Sequence, residues 1–227
     1  MNRVQNGGWM ATKWGDREAR RGDILDAGRR LLTEQGYAAL QMRDVAKGAG
    51  ISPGTVYTYF ATKEALYAAL YAERLGEFVA KIEPLCESLA DPEDLFVAIA
   101  TDYAEMYRVY GQELNIWAVL AGEVDVDHEV GGQLVLAAAR AYDLILRTVE
   151  RMRIPGLGAQ IDTGTVVATL WSVITGLADN FTSVRHHLHA RGWDETVRLA
   201  ARIQIAGLRT LEAVAGAGTL EAEKEER

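Results

Sequence analysis

Ile24, Ala27, Gly28 and Leu31 stand at i, i+3, i+4 and i+7, and Met42, Val45, Ala46 and Ala49 repeat that spacing. Such spacing gathers apolar side chains on one stripe of a helix, whereas a half-buried strand alternates them at period two. Almost all of the 227-residue chain follows the first pattern, and no stretch alternates several β-branched residues with polar ones. The fold class is therefore all-α, with about nine helices. Helix one stops near Gly36 and helix two at Gly50. Ser52 before Pro53 opens a short third helix to Phe60, because a serine oxygen accepts an orphan N–H and proline fits a first turn. Thr62 caps a fourth through Lys63, Leu66, Ala69, Leu70 and Ala72 into the 80s, broken at 91-DPED-94. Further helices are expected over 94–109, 112–122, 128–152, 162–188 and 194–214, with Gly111, Pro155, Gly156, Gly158 and Gly192 at the breaks.

Half the residues are apolar and a quarter charged, the balance of a soluble folded protein. The longest weakly polar stretch, 166–178, contains Thr169, Ser172 and Thr175 and is too short for a bilayer span. The N-terminal residues lack the apolar core of a secretory signal, and the single cysteine, Cys86, has no partner for an internal disulfide. A cytoplasmic protein is the expectation. The net charge of −8 is unevenly spread: residues 1–66 carry ten Lys/Arg against seven Asp/Glu, residues 67–227 fourteen against twenty-five. A basic end on an acidic body presents one limited surface to phosphate.

Only Gly50 and Ile51 join helices two and three, the link of a helix-turn-helix. With Val56 and Phe60 inward, Gly54 and Thr58 face out, Thr55 and Tyr59 lie on one flank and Tyr57 on the other. That small, hydrogen-bonding face on a thin helix suits the major groove, although tyrosines also half-bury their rings for packing alone. Lys63 places a cation beside the free N–H groups of a helix start, a setting for a phosphate oxygen; its plain alternative is a solvated lysine. For Arg43 the alternative is a surface ion pair with Asp44.

The run 42-MRDVAKGAGISPGTVYTYFATKEAL-66 resembles the DNA-binding signature of TetR-type regulators, with its glycine turn, its Tyr-x-x-Phe pattern and the lysine that opens helix four. The resemblance is strong over about residues 20–70 and beyond that extends to helix number and length only. It implies that Arg43 and Thr55 reach base edges or nearby phosphates and that Tyr57, Tyr59 and Lys63 hold backbone phosphates. Ser52, Gly54 and Thr58 complete the expected DNA-facing set. The implied organisation is a flexible arm at 1–15, a helix-turn-helix domain at 16–66, an effector-binding and dimerisation domain at 67–214 and a flexible tail at 215–227. The implied function is a repressor that binds a palindromic operator as a homodimer and is released by a small molecule. An architectural DNA-binding protein without effector control is the alternative.

In the body, Val166, Val167, Leu170, Trp171, Val173, Ile174, Leu177, Ala178 and Phe181 cover nearly the full circumference of one helix. With the last helix they form an expected four-helix dimer interface of Val167, Leu170, Ile174, Leu177, Phe181, Ile203 and Leu208, or else the core of a monomer. Tyr103, Met106, Tyr107, Tyr110 and Trp117, with Trp171, Asp179 and Asn180 as polar anchors, are the candidate effector pocket, although an aromatic stripe is also ordinary core. The acidic body favours a cationic or amphipathic effector. His186, His187 and His189 have no cysteine beside them, and histidines near a helix C-terminus suit its dipole, so no metal and no cofactor is expected. No nucleophile elbow or phosphate loop is present, and Gly156 and Gly158 follow a proline rather than a strand, which argues against an enzyme.

Overall fold

A computed structural model describes residues 7–88, 91–111, 128–152, 162–188 and 190–225, with 7–15, 184 and 211–225 described as backbone only. The described residues form eight α-helices and no strand: α1 (Gly7–Gln35), α2 (Met42–Gly48), α3 (Pro53–Tyr59), α4 (Lys63–Glu87), α5 (Pro92–Tyr110), α6 (His128–Arg151), α7 (Thr163–Thr182) and α8 (Trp193–Glu225). Short 3-10 turns cover Tyr37–Ala39 and Val184–Leu188. The expected helix at 112–122 and the link with Pro155, Gly156 and Gly158 lie outside the described residues.

Several boundaries differ from the sequence reading for identifiable reasons. The 91-DPED-94 segment starts a helix as well as ending one: the Asp91 carboxylate accepts from the N–H groups of Glu93 (2.9 Å) and Asp94 (3.4 Å), and Pro92 takes the first position. α7 ends at Thr182 because Ser183 turns extended (φ −90°, ψ 177°), so the segment expected as helix to 188 finishes in a 3-10 turn. α1 begins at Gly7 and α8 runs to Glu225, through stretches expected to be flexible. In the second, Ala, Glu and Lys, which lose little on entering a helix, outnumber the glycines.

Two compact units divide the described chain, one of residues up to 73 with 128–135, the other of 74–111 with 136–225. The first has a core of Ile24, Leu32, Leu40, Val45, Val56, Phe60, Leu66 and Leu70, each at most 1% exposed. Its helices cross closely where side chains are missing: a Cβ on Gly28 would meet Leu70 Cδ1 at 3.2 Å, and one on Gly48 would meet Ala27 Cβ at 3.1 Å. Arg29 bridges Asp26 (2.8 Å) on α1 and Glu73 (2.6 Å) on α4.

In the second unit α5 packs against α7 and α8. Its buried stripe is Leu95, Ile99, Asp102 and Met106, spaced four, three and four apart, so a carboxylate occupies a position where that spacing calls for an apolar residue. Asp102 is 2% exposed and is held by Arg74, at 3.1 Å, and Lys81, both from α4. Arg74 and Lys81 are seven residues apart, two turns of one helix face. α7 is not apolar on all sides: Thr165, Ala168, Thr169, Ser172 and Gly176 form an exposed edge, and the hydroxyls of Thr169 and Ser172 return to carbonyls of their own helix at 2.9 and 2.8 Å. The nine apolar residues counted from the sequence hid that edge because the small residues lie between them.

Removing both cations strands the Asp102 carboxylate in an apolar interface. Arg74→Met with Lys81→Met is expected to cost about 3–5 kcal/mol, and adding Asp102→Leu is expected to restore most of it. Urea unfolding of the three proteins checks this; equal stability of double and triple variants contradicts the assignment.

Candidate functional site

The turn between α2 and α3 is built from the backbone. Gly50 adopts φ +67°, the Ile51 N–H reaches the Ala46 carbonyl at 3.0 Å, and the Gly50 N–H reaches that of Lys47 at 3.2 Å. This is the Schellman closure, and its left-handed position favours glycine because a Cβ there is strained. Ser52 then caps α3: its Oγ accepts from the Thr55 N–H at 3.1 Å and lies 2.9 Å from Thr55 Oγ1. Substituting such a cap costs about 1 kcal/mol. Val56 and Phe60 anchor the inner face at 0% and 1% exposure.

Ser52, Gly54, Tyr57 and Thr58 are exposed, with Tyr57 at 53%, while Thr55 and Tyr59 are half-buried on the flank. The Thr58 hydroxyl donates to the Gly54 carbonyl at 3.1 Å. Gly54 has neither a positive φ nor a crowded site, since a Cβ there would meet only Ser52 Oγ at 3.8 Å. The fold therefore does not require this glycine. Arg43 is exposed on α2 and forms no ion pair with Asp44 or any other described residue. Lys63, at the start of α4, lays its ammonium 3.8 Å from the Tyr37 ring centroid, and Tyr37 Oη donates to Glu64 Oε1 at 3.2 Å. The ring holds the lysine at the helix start and removes it from the class of freely solvated side chains. Sequence reasoning passed over Arg17, whose guanidinium lies 6.0 Å from the Tyr59 ring centroid; a basic residue on α1 carries no local pattern that points to α3.

The residues named for an effector pocket divide into two groups. Tyr103, Tyr107, Trp171 and Asp179 meet between α5 and α7: Tyr103 and Trp171 pack edge to face at 4.6 Å, and Tyr107 Oη donates to Asp179 Oδ1 at 3.4 Å, while Arg185 also pairs with Asp179. Burial pushes the Tyr103 phenol above its ordinary range, and burial followed by the Asp179 charge does the same to Tyr107. Met106 and Tyr110 are buried, Asn180 donates to its own helix at Gly176, and Trp117 lies outside the described residues. A cavity of about 90 Å³ lies next to this cluster, with Trp171 in its wall. Leu95, Phe96 and Ile99 of α5, Ile145 and Val149 of α6, Leu170 and Ile174 of α7, and Ile205 and Leu208 of α8 line it, with no acidic residue among the described lining residues.

Among the residues named for a dimer interface, Val167 and Ile174 are buried within the chain itself. Leu170, Leu177, Phe181 and Leu208 are half-buried, with Phe181 edge to face on Trp193 at 5.6 Å. Ile203 is 59% and Leu199 56% exposed. Thr165, Thr169, Leu170, Ile203, Gly207 and Leu208 border an open groove of about 370 Å³ between α7 and α8. His186 and His187 stack with ring centroids 3.7 Å apart, and no group of three or more metal-ligating side chains gathers among the described residues. No helix among them is long and apolar enough to cross a membrane.

The sequence profile of bacterial regulatory proteins of the TetR family matches residues 24–70. The chain is similar to the fatty acid metabolism regulator protein of Bacillus subtilis, at 33% identity over 36% of this chain and 42% of that protein. It is also similar to the HTH-type transcriptional repressor KstR2 of Mycobacterium tuberculosis, at 34% identity over 37% and 44% of the two chains. The chain thus spans less than half the length of these curated relatives. The fold matches the transcriptional regulator FadR from Bacillus subtilis solved in complex with stearoyl-CoA, with a TM-score of 0.56 and 16% identity over 82% of this chain and 97% of the other. Residues 24–70 thus match the N-terminal domain of bacterial regulatory proteins of the TetR family.

Proposed function

We propose that the chain is a transcriptional repressor that binds a palindromic operator as a homodimer and leaves it when a small molecule enters the helical body. The observation that carries this reading is α3: a capped seven-residue helix, set by a glycine turn, whose outer face is the exposed Gly54, Tyr57 and Thr58. In this reading Tyr57, Tyr59 and Lys63 hold phosphates, and Arg43 and Thr55 meet base edges or nearby phosphates. The effector reading is supported by the apolar cavity and by a regulator of similar fold that holds stearoyl-CoA. The dimer reading is supported by the exposed Leu199 and Ile203 and by the small-residue edge of α7, which lets a second helix approach closely.

Binding to operator and to scrambled DNA at several salt concentrations separates the roles. Lys63→Ala is expected to weaken binding to both DNAs and to lower the salt slope by about one unit. Arg43→Ala is expected to relax preference at particular base pairs, by roughly 1–3 kcal/mol for a bidentate contact. Unchanged affinity in both variants would place the DNA-binding face elsewhere.

Gly54→Ala gives a sharper test, because its folded-state cost is absent. Thermal stability is expected to hold or rise by a few tenths of a kcal/mol, while operator affinity falls about tenfold, or ~1.4 kcal/mol, as the added methyl holds the backbone off the DNA. Full affinity in a stable Gly54→Ala protein removes the close approach from the reading.

Ile203→Arg is expected to yield a folded monomer, because the residue is exposed in the single chain and its charge would be buried only between two copies. Light scattering at micromolar concentration distinguishes this from an unchanged oligomer, which would exclude Ile203 from the interface.

A further inference from the structure

We infer that the cavity between α5, α6, α7 and α8 takes a slender hydrocarbon chain bearing an anionic head, an inference that rests on the effector reading above. Its walls offer almost nothing to a polar ligand. Phe96, Ile99, Leu170 and Ile174 supply apolar surface, and the hydroxyl of Thr148 is already spent on the Leu144 carbonyl of its own helix at 2.7 Å. A sugar, nucleoside or polyamine entering this space would leave its polar groups unpaired, at a cost no contact here offsets. Among the described lining residues the single charge is Arg209, an exposed residue of α8 with no hydrogen bond or ion pair to any described residue. A carboxylate or phosphate at the end of the chain pairs with that guanidinium, whereas an ammonium is repelled by it. The negative charge of the body therefore misleads about the effector, because no carboxylate is found among the described residues of the cavity lining.

Isothermal titration of the full chain with straight-chain carboxylates from butanoate to decanoate tests the hydrocarbon part. Affinity is expected to rise about fourfold per added methylene until the chain fills the cavity, then level off. Decanol and decyltrimethylammonium test the head: decanoate is expected to bind about fivefold more tightly than the alcohol, and the ammonium more weakly than either. Decanoyl-CoA compared with decanoate tells a thioester effector from a free acid. Arg209→Gln, a surface change that leaves the core intact, should abolish the preference for decanoate over decanol and keep the chain-length trend. Ile99→Trp should fill the cavity and abolish both. A flat chain-length series, or equal binding of the carboxylate, the alcohol and the ammonium, overturns the inference. Operator binding measured on the same preparations keeps the two questions apart: a protein that binds DNA and shows either result loses this ligand assignment alone.

Discussion

The closure of α2 by Gly50 sets the direction of α3, and every feature of the candidate DNA surface depends on that direction. The left-handed residue lets the Gly50 and Ile51 N–H groups return to α2, so the chain leaves the first helix at a defined angle with its last carbonyls satisfied. Ser52 completes the turn from the other side by accepting the Thr55 N–H. With the axis set, Val56 and Phe60 dock into the core of α1 and α4, and the opposite face is left to small residues and hydroxyls. A β-branched residue at position 50 would strain the turn and misdirect α3 even if each helix still formed.

The Asp102 cluster shows how the second unit pins one helix against another. A carboxylate at 2% exposure is tolerable only because Arg74 and Lys81 converge on it from a single face of α4. Such a pair contributes little net stability compared with an apolar contact of the same shape, and its effect is to define register, since a one-turn slip of α4 against α5 would leave the charge stranded. Its signal was present in the chain as an aspartate on an apolar stripe and two cations seven apart, but neither half means anything without the other.

The two proposed activities differ in how directly side chains could be read for them. The DNA-facing set is local: cap, turn and outward positions lie within a dozen residues, and helical spacing alone sorts inward from outward. The cavity is non-local, assembled from four helices that span more than a hundred residues of sequence; only Trp171 of its lining was expected in a pocket, while Val167, Leu170, Ile174 and Leu208 were expected at a dimer interface. The aromatic stripe of α5 drew attention because rings are conspicuous, yet Tyr103 and Tyr107 turn to Trp171 and Asp179 and form a packed polar seam instead of lining the cavity.

By itself the sequence determined the helical class, the turn, the cap and the short third helix, because each follows from interactions between residues three to five apart. It also determined the basic end and the acidic body, which are sums over composition. The helix end at Thr182 escaped it, since a stop depends on how the flanking backbone is held. Tertiary structure alone decided that Val167 and Ile174 serve the chain's own core, that α7 exposes a small-residue edge, and that Arg209 is the one charge among the described residues at the apolar cavity. Which side of a helix meets a neighbour is set by packing across long sequence distances, and no periodicity along one helix carries that information.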